Sequence, residues 1–286
     1  MAIDYRYELV GVFGHPVAEN PTCVMQEAAF EALGLRWRYL TIDVEPQALP
    51  DAIRAVRCLG MKGINLTIPH KVAVMSLLDG VSPDAAMIGA VNTVRRMGDR
   101  LVGENTDGKG FLRALREDAG IDPKGRHVLV LGAGGAARAI TVELALAGVG
   151  PLTIVNRSTE RGKALVADLG KKTQAKARLE PWQGTYAIGK EFDILVNATS
   201  IGLYPDLEAM PPVDLKGARP DLWVCDVVPN PPETRLIRTA RSLGLKTLTG
   251  LSMLVYQGAI GFKMWTGQNA PEVAMKAALE QAFQKG

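Results

Sequence analysis

The sequence is poor in cysteine, in net charge and in long apolar runs, and each shortage excludes a class of protein. Its three cysteines, Cys23, Cys58 and Cys225, are too scattered for a metal or redox motif, which predicts a reducing compartment and no metal site. A net charge of +3 is too small to indicate a nucleic-acid or membrane partner. No apolar run reaches the ~18–20 residues of a membrane helix, and the charged segment Met1–Glu8 does not resemble a signal peptide. We therefore expect a cytoplasmic protein.

The remaining composition is that of an ordinary globular protein, with 47% hydrophobic and 22% charged residues over 286 positions. A chain of this length is long for one domain and comfortable for two. The densest basic stretch, Lys171–Arg178, is expected to be a solvated helix end and loop.

The N-terminal third alternates between strand-like and helix-like segments, which is typical of an α/β sheet. The predicted elements are strand Leu9–Phe13, helix Val24–Leu33, strand Trp37–Val44, helix Leu49–Cys58 and strand Gly63–Thr67.

The middle of the chain begins a second α/β pattern. The apolar run His127–Leu131 predicts a strand buried on both faces, and a glycine-rich turn and a helix to Ala147 follow it. Further predicted elements are strands Leu152–Val155, Asp193–Val196 and Trp223–Asp226 and helices Arg161–Leu169, Leu251–Trp265 and Pro271–Phe283. The sequence thus predicts an α/β protein of two domains. One is a doubly wound Rossmann domain over 109–249, and the other is an N-terminal α/β domain over 1–108 to which the C-terminal helices 250–286 return.

The glycine-rich turn has the pattern of a dinucleotide site. Gly132 permits a tight turn, Gly134 lets the backbone approach a pyrophosphate, and Ala137 allows close packing of helix on strand. Strand, turn and helix occur in the order that makes this pattern informative, and a helix N-terminus attracts phosphate. The predicted contacts are Gly132, Ala133, Gly134, Gly135, Ala136 and Ala137. The alternative is a turn without a ligand.

The end of the second strand of this domain favours NADP over NAD. An NAD site usually has an acidic residue there, about 20 residues after the glycines, to bind the ribose hydroxyls. Here the strand ends in Asn156, Arg157 and Ser158, and Arg161 follows one helical turn later. Arginine binds phosphate through two parallel hydrogen bonds, so these residues predict a site for the 2′-phosphate. The alternative is a pair of surface arginines at a helix start.

Polar clusters at strand ends of the N-terminal domain suggest the chemistry. Reduction of a ketone by hydride needs a proton donor at the forming alkoxide, and Lys71 is a candidate for it. Asp107 lies in an Asn-Thr-Asp-Gly segment and is a candidate for orienting the lysine and the substrate hydroxyls. By themselves the two residues favour a solvated lysine and a turn aspartate. They become candidates for catalysis only together with the dinucleotide domain that follows.

The sequence resembles the shikimate dehydrogenase family over essentially its whole length. The resemblance rests on segments in the family's order, which are Val12–Val17, Asn65–Lys71, Ala90–Thr93, Asn105–Gly108, Gly132–Ala137, Asn156–Ser158, Asn197–Gly202 and Gly250–Gln257. It implies NADP-linked, reversible interconversion of shikimate and 3-dehydroshikimate, or of a related cyclic hydroxy acid such as quinate.

The resemblance also implies roles for individual residues. Lys71 would be the catalytic acid/base and Asp107 its partner. The substrate would be bound by Thr67, Asn92 and Gln257, together with Asn20 and Thr22 at the carboxylate. The cofactor side would include Thr199, Val227, Gly250 and Met253 besides the residues of the glycine turn and the arginine cluster.

Two departures from the family pattern affect the substrate carboxylate. The family's Ser-x-Ser-Pro stretch reads Asn20-Pro21-Thr22-Cys23 here, and its Asp-x-x-Tyr-x-Pro stretch has Pro229 in place of the tyrosine. Tyr204 or Lys109 are alternative donors at this end of the pocket. A divergent paralogue with another ring acid, a non-catalytic NADP-binding regulator and a folate-type dehydrogenase therefore stay open, although Gly250–Gln257 argues against the last. The sequence is equally compatible with a monomer and a homodimer.

Overall fold

The computed structural model describes residues 5–285, so the segment Met1–Glu8 lies partly outside the described residues. The chain divides into two compact units, the first formed by Met1–Thr106 with Gln257–Gly286 and the second by Asp107–Tyr256. The assignment of 1–108 with 250–286 to substrate and of 109–249 to cofactor stays a prediction. Within residues 5–285, no helix has both the length and the apolar character that crossing a bilayer requires.

The first unit contains a six-stranded sheet in the order β2-β1-β3-β5-β6-β4. Its elements before the second unit are β1 Glu8–Gly14, α1 Thr22–Ala32, β2 Trp37–Asp43, α2 Leu49–Cys58, β3 Gly63–Leu66, α3 His70–Ala73, β4 Gly80–Val81, α4 Pro83–Ile88, β5 Thr93–Met97 and β6 Arg100–Glu104. All five elements predicted in this region are present, with ends that differ by at most two residues.

An antiparallel hairpin in this sheet had not been predicted. Strands β5 and β6 pair antiparallel, and Met97 lies opposite Arg100 across the two-residue turn of Gly98 and Asp99. Gly98 has a φ of 61°, which suits glycine in a two-residue hairpin turn. The hairpin places Asn92 just before β5 and Asn105 just after β6, at one end of the sheet.

The edge strand β2 is blocked by a side chain. The backbone N–H of Tyr39 donates to the carboxylate of Glu27 on α1, and Arg38 of the same strand pairs with that carboxylate at 3.1 Å. An outward-facing backbone donor of the edge strand is therefore satisfied within the chain.

The C-terminal helices return to the first unit, as predicted. Helix α9, Gly250–Thr266, crosses the boundary between the units, and α10, Glu272–Lys285, packs on α1. Gln26 on α1 donates through Nε2 to the carbonyl of Gly258 at 3.0 Å, and the rings of Phe30 and Phe262 stack with centroids 5.4 Å apart. These contacts bring Gln257 next to the sheet of the first unit.

The second unit is a doubly wound domain, as predicted. Its sheet is parallel throughout in the order β14-β13-β11-β7-β8-β9, which is the order of the Rossmann fold. Its elements are α5 Asp107–Glu117, β7 Val128–Leu131, α6 Gly135–Leu146, β8 Leu152–Asn156, α7 Thr159–Lys172, β9 Ala177–Pro181, β10 Tyr186–Ala187, β11 Ile194–Asn197, β12 Val213–Asp214, β13 Trp223–Asp226, α8 Arg235–Ser242 and β14 Lys246–Leu248. The strand order reverses between β7 and β11, where such sheets bind their ligands.

Candidate active site

The turn after β7 requires glycine at its first position. Gly132 has a φ of 106°, and a Cβ there would lie 3.1 Å from the carbonyl oxygen of Ala198 and from Cγ2 of Thr199. Its N–H donates to the carbonyl of Val155 at 2.8 Å. The turn therefore lies against the loop that follows β11, at the point where the strand order reverses.

The rest of the turn leaves room for a ligand. A Cβ at Gly134 or at Gly135 would meet nothing within 4 Å, and both residues are exposed at the N-terminus of α6. Ala137 is fully buried and Ala133 almost so, while Ala136 is half-buried. Small buried residues beneath exposed glycines fit the pyrophosphate site predicted from the sequence.

The residues at the end of β8 divide into two groups. Ser158 caps α7 by accepting the N–H of Arg161 at 3.3 Å, and Asn156 donates through Nδ2 to the carbonyl of Ser158 at 2.7 Å. Arg157 and Arg161 are exposed, and neither forms an ion pair within residues 5–285. Asn156 and Ser158 thus shape the turn, and the two guanidinium groups add positive charge to a helix N-terminus, where an anion would compensate it.

A cavity of about 270 Å³ adjoins Arg157. Its other lining residues are Trp182, Gly184, Thr185, Ile201 and Pro212. A mainly apolar hollow next to a guanidinium group suits a flat heteroaromatic ring.

A buried network holds the loop after β11. Asn197 accepts through Oδ1 from the N–H and the hydroxyl of Thr199, at 3.2 and 2.7 Å, and donates through Nδ2 to Asp226 at 3.0 Å. Asp226 also accepts from the hydroxyl of Thr234 at 2.7 Å and from the N–H of Val228 at 3.0 Å. Burial raises the pKa of Asp226, and its hydrogen bonds act in the opposite direction. The network fixes the position of Thr199.

The start of α9 packs tightly on the loop after β13. A Cβ at Gly250 would lie 2.4 Å from the carbonyl oxygen of Val228, far inside van der Waals contact. Val227 in that loop donates its N–H to the carbonyl of Asn197 at 3.1 Å, and Met253 is 9% exposed one turn into α9. Thr199, Val227, Gly250 and Met253 thus belong to connected segments of one unit.

In the first unit, the start of α1 carries Asn20 and Thr22. Asn20 accepts the N–H of Thr22 through Oδ1 at 3.0 Å and is half-buried, whereas Thr22 is 5% exposed. Oδ1 of Asn20 accepts this hydrogen bond within the chain, and the NH₂ of the same amide can donate to a ligand.

The segment after β3 carries Thr67 and Lys71, which are both half-buried. Thr67 donates its N–H to the carbonyl of Phe13 at 2.9 Å, and the carbonyl of Lys71 accepts the N–H of Val91 at 2.8 Å. Between them, His70 is buried, with its Nε2 2.7 Å from the carbonyl of Val44. The main chain around Lys71 is therefore held by hydrogen bonds to β1 and to the segment just before β5.

Asp107 is 9% exposed and is the first residue of α5, where the helix dipole favours a carboxylate. It belongs to the second unit and Lys71 to the first. The pairing of the two residues stays a prediction.

Asn92 and Gln257, far apart in the sequence, are brought together. Their side chains meet at Thr106, whose hydroxyl lies 2.9 Å from Nδ2 of Asn92 and 3.3 Å from Oε1 of Gln257. Both amides are buried, at 3% and 7% exposure. The fold therefore assembles two of the predicted substrate ligands into one cluster.

Sequence reasoning assigned no role to several residues of these clusters. They are Tyr39, Asn65, Thr93, Thr106, Asp226 and Thr234. Most are polar residues at the ends of apolar strands, and this position in the sequence could have identified them as candidate site residues.

Three family profiles match the chain in succession. They describe a "Shikimate dehydrogenase substrate binding domain" at residues 12–94, "Shikimate / quinate 5-dehydrogenase" at 115–204 and a "Shikimate 5'-dehydrogenase C-terminal domain" at 250–280. A shikimate dehydrogenase (NADP(+)) of Methanopyrus kandleri is 45% identical over 284 residues, covering 98% of each chain. The chain belongs to the shikimate dehydrogenase family. Like these relatives, it is an NADP-dependent oxidoreductase, as the arginine cluster predicted.

Solved structures of the shikimate dehydrogenase fold match equally well. The shikimate 5-dehydrogenase of Thermus thermophilus, in complex with NADP(H) and shikimate, is 40% identical with a TM-score of 0.86, over 96% of this chain and 99% of that one. The ligand-free 5-ketofructose reductase of Gluconobacter sp. strain CHM43 is 44% identical with a TM-score of 0.93, over 98% of this chain and 100% of that one. A reductase of a keto sugar is thus as similar to this chain as the shikimate enzymes are.

Proposed function

We propose that the protein interconverts a polyhydroxylated ketone and its alcohol with NADP, and that 3-dehydroshikimate and shikimate, or a related ring acid such as quinate, are the reacting pair. The observation that carries this proposal is the buried cluster of Asn92, Thr106 and Gln257 in the same unit as Lys71. Several fixed amide and hydroxyl groups suit a substrate with several hydroxyls. Curated relatives named as shikimate dehydrogenases support the ring acid.

The proposed mechanism assigns the proton to Lys71. NADP, when bound, supplies or accepts the hydride. In the direction of reduction, the ammonium group of Lys71 gives a proton to the carbonyl oxygen as that oxygen becomes an alcohol. Asp107 orients the ammonium group and accepts from a substrate hydroxyl. Thr67, Asn92 and Gln257 bind the other ring oxygens, and Asn20 and Thr22 bind the far end of the ring.

The residues that would hold the cofactor all belong to the second unit. The exposed backbone of Gly134 and Gly135 suits the pyrophosphate, and Arg157 with Arg161 suits the 2′-phosphate. Asn156 and Ser158 keep that turn in shape. Thr199, Val227, Gly250 and Met253 are proposed for the remaining cofactor contacts.

A second candidate substrate is a neutral keto sugar. A ring carboxylate needs strong donors, and here the family's tyrosine is replaced by Pro229, which has no donor in its side chain or backbone. Asn20 and Thr22 can donate equally well to hydroxyl oxygens. The similarity to a 5-ketofructose reductase supports a substrate without a carboxylate.

A substrate panel separates these candidates. Steady-state kinetics would be measured with NADPH against 3-dehydroshikimate and 5-keto-D-fructose, and with NADP against shikimate and quinate. The highest kcat/KM on a ring acid supports the first candidate, and the highest kcat/KM on the keto sugar supports the second. Binding of NADPH without turnover of any substrate would indicate a regulator and contradict both.

The role of Lys71 is tested on the best substrate of that panel. Because general acid catalysis contributes about 10²–10⁴ in rate, Lys71→Ala should lower kcat by that factor and leave the Kd of NADPH unchanged. Lys276→Ala on the exposed face of α10 is the matched control. A Lys71→Ala enzyme that keeps more than about a tenth of kcat contradicts the role.

A further inference from the structure

A continuous chain of buried hydrogen bonds runs behind Asn92 and Gln257 in the first unit. The hydroxyl of Tyr39 donates to Oδ1 of Asn65 at 2.7 Å, and Nδ2 of Asn65 donates to the hydroxyl of Thr93 at 2.9 Å and to the carbonyl of Asn92 at 3.1 Å. Tyr39 and Asn65 are 5% and 6% exposed, and Thr93 is fully buried. Unpaired polar groups are costly at such depth, so the donors and acceptors along this chain have to match.

Two backbone groups set these directions. The carbonyl oxygen of Asn92 can only accept a hydrogen bond, so the Asn65 atom beside it has to be the donor Nδ2. Oδ1 of Asn65 therefore faces Tyr39 and accepts from its hydroxyl. The N–H of Thr106 only donates, at 2.7 Å, which identifies the atom that meets it as Oδ1 of Asn92. The amide orientation of both asparagines is thereby fixed by the main chain.

The same reasoning extends to Gln257. Oδ1 of Asn92 accepts from the N–H of Thr106 and from the hydroxyl of Thr93, at 2.7 and 3.2 Å, and so uses both lone pairs. Nδ2 of Asn92 donates to the hydroxyl of Thr106, which lies 3.3 Å from Oδ1 of Asn92 and equally 3.3 Å from Oε1 of Gln257. Because Oδ1 of Asn92 already accepts two hydrogen bonds, we assign the proton of Thr106 to Oε1 of Gln257. Nδ2 of Asn92 is also 3.5 Å from Oε1 of Gln257. The carbonyl end of Gln257 is thus held toward the network, and its NH₂ is the opposite end.

We propose that Thr106 is a positioning residue that makes Gln257 a hydrogen-bond donor to the substrate, and that Tyr39, Asn65 and Thr93 maintain the polarity of the network behind it. The inference rests on the proposed function, because it requires Asn92 and Gln257 to bind substrate. It adds that the substrate atom bound by Gln257 is an acceptor oxygen.

The first experiment exchanges the hydroxyl of Thr106. Thr106→Val keeps the shape and removes the proton, whereas Thr106→Ser keeps the proton. Thr106→Val should raise the substrate KM about tenfold, the size expected for one lost hydrogen bond, with the Kd of NADPH unchanged. Thr106→Ser should stay close to the original enzyme. Equal substrate KM values for the two variants would overturn the inference.

The second experiment tests the polarity directly and does not depend on the folding of Thr106→Val. In Gln257→Glu the carboxylate can accept from Thr106 and Asn92 but offers no donor at its other end. The inference therefore expects Gln257→Glu to raise the substrate KM as much as Gln257→Leu does. A Gln257→Glu enzyme with the original KM would show that Gln257 acts as an acceptor, and the inference would be wrong.

The two proposals fail in different ways. If Gln257→Leu leaves all substrate kinetics unchanged, Gln257 is no substrate ligand, and that part of the proposed function falls together with the inference. If Gln257→Leu raises the substrate KM but Thr106→Val and Thr106→Ser behave alike, only the positioning role is wrong. Tyr39→Phe, at the far end of the chain, should raise the substrate KM by a smaller factor than Thr106→Val and leave the Kd of NADPH unchanged.

Discussion

At the scale of single residues, Arg157 and Arg161 put two positive charges at the start of α7 with no acidic partner within residues 5–285. One charge-assisted contact to a phosphate contributes about 1.5–3 kcal/mol, or roughly 10–100-fold in affinity. Arg157→Ala should therefore raise the KM for NADP by that factor and leave the KM for NAD almost unchanged.

Initial rates with the two cofactors test this prediction. Arg235→Ala, which removes another exposed arginine from the same unit, is the control and should change neither KM. Equal kcat/KM for NADP and NAD in the unmodified protein would contradict the role of the arginine pair.

Asp226 gives a prediction about stability and pH. Burial raises its pKa above the ordinary value of 3.8, so the folded protein binds this proton more tightly than the unfolded chain does. The contribution of Asp226 to the free energy of unfolding is therefore greatest below the unfolded pKa and is lost as pH rises through the raised one. In Asp226→Asn the side chain at this position does not titrate, so its contribution to the free energy of unfolding does not change with pH.

Urea unfolding of both proteins from about pH 4 to pH 7 measures this difference. The free energy of unfolding of the original protein minus that of Asp226→Asn should fall as pH rises. A difference that grows with pH would mean that the hydrogen bonds from Asn197, Thr234 and Val228 outweigh burial.

The sequence identified residues at strand ends but not the hydrogen bonds between them. Asn92 and Gln257 were predicted as substrate ligands, while Thr106, which joins them, was only part of a family motif. Thr106 and Gln257 are 151 positions apart in the sequence, and their contact depends on how α9 returns to the first unit. No local sequence pattern predicts such a contact.

At the scale of elements, the start of α9 is fixed by the absence of a side chain. Gly250→Ala would force a Cβ to within 2.4 Å of the carbonyl oxygen of Val228, so the helix or the loop has to move. We expect a lower melting temperature and a higher KM for NADP.

Gly170→Ala is the matched control for thermal unfolding and cofactor kinetics. Gly170 lies within α7, and a Cβ there would meet nothing within 4 Å. Alanine is favoured over glycine in a helix by about 1 kcal/mol, so this variant should melt slightly higher. If Gly250→Ala has the same melting temperature and KM for NADP as Gly170→Ala, the close contact between Gly250 and the carbonyl oxygen of Val228 affects neither stability nor cofactor binding.

The elements with strong local patterns were predicted well, and the hairpin was not. Leu49–Cys58 and Trp223–Asp226 have the predicted bounds because their apolar spacing is unambiguous. Strands β5 and β6 contain Arg95, Arg96 and Arg100, which hide the strand pattern, although the Gly98–Asp99 turn signals a hairpin.

At the scale of the whole molecule, the three residues that depart from the family pattern at the predicted carboxylate end lie in different units. Pro229 belongs to the second unit, and Asn20 and Thr22 belong to the first. Each lost hydrogen bond to a carboxylate costs about 1.5–3 kcal/mol. Shikimate kcat/KM should therefore rise from the original protein to Pro229→Tyr, and again when Asn20→Ser and Thr22→Ser are added.

The KM for NADP serves as the control in this series and should stay constant. If the original protein already has a micromolar KM for shikimate and the variants only lose activity, the three substitutions are neutral for the carboxylate. Comparison of kcat/KM for shikimate with kcat/KM for 5-keto-D-fructose in each variant then shows which of the two substrates the original pocket suits.

The carboxylate of Glu27 on the N–H of Tyr39 has a consequence for how copies of the chain meet. A strand from a neighbouring chain can join the exposed side of β2 only by displacing that carboxylate and breaking its ion pair with Arg38. The first unit thus carries its own protection against strand-to-strand aggregation at this edge. Removing the carboxylate of Glu27 would leave the backbone donor of Tyr39 open to a strand of another chain.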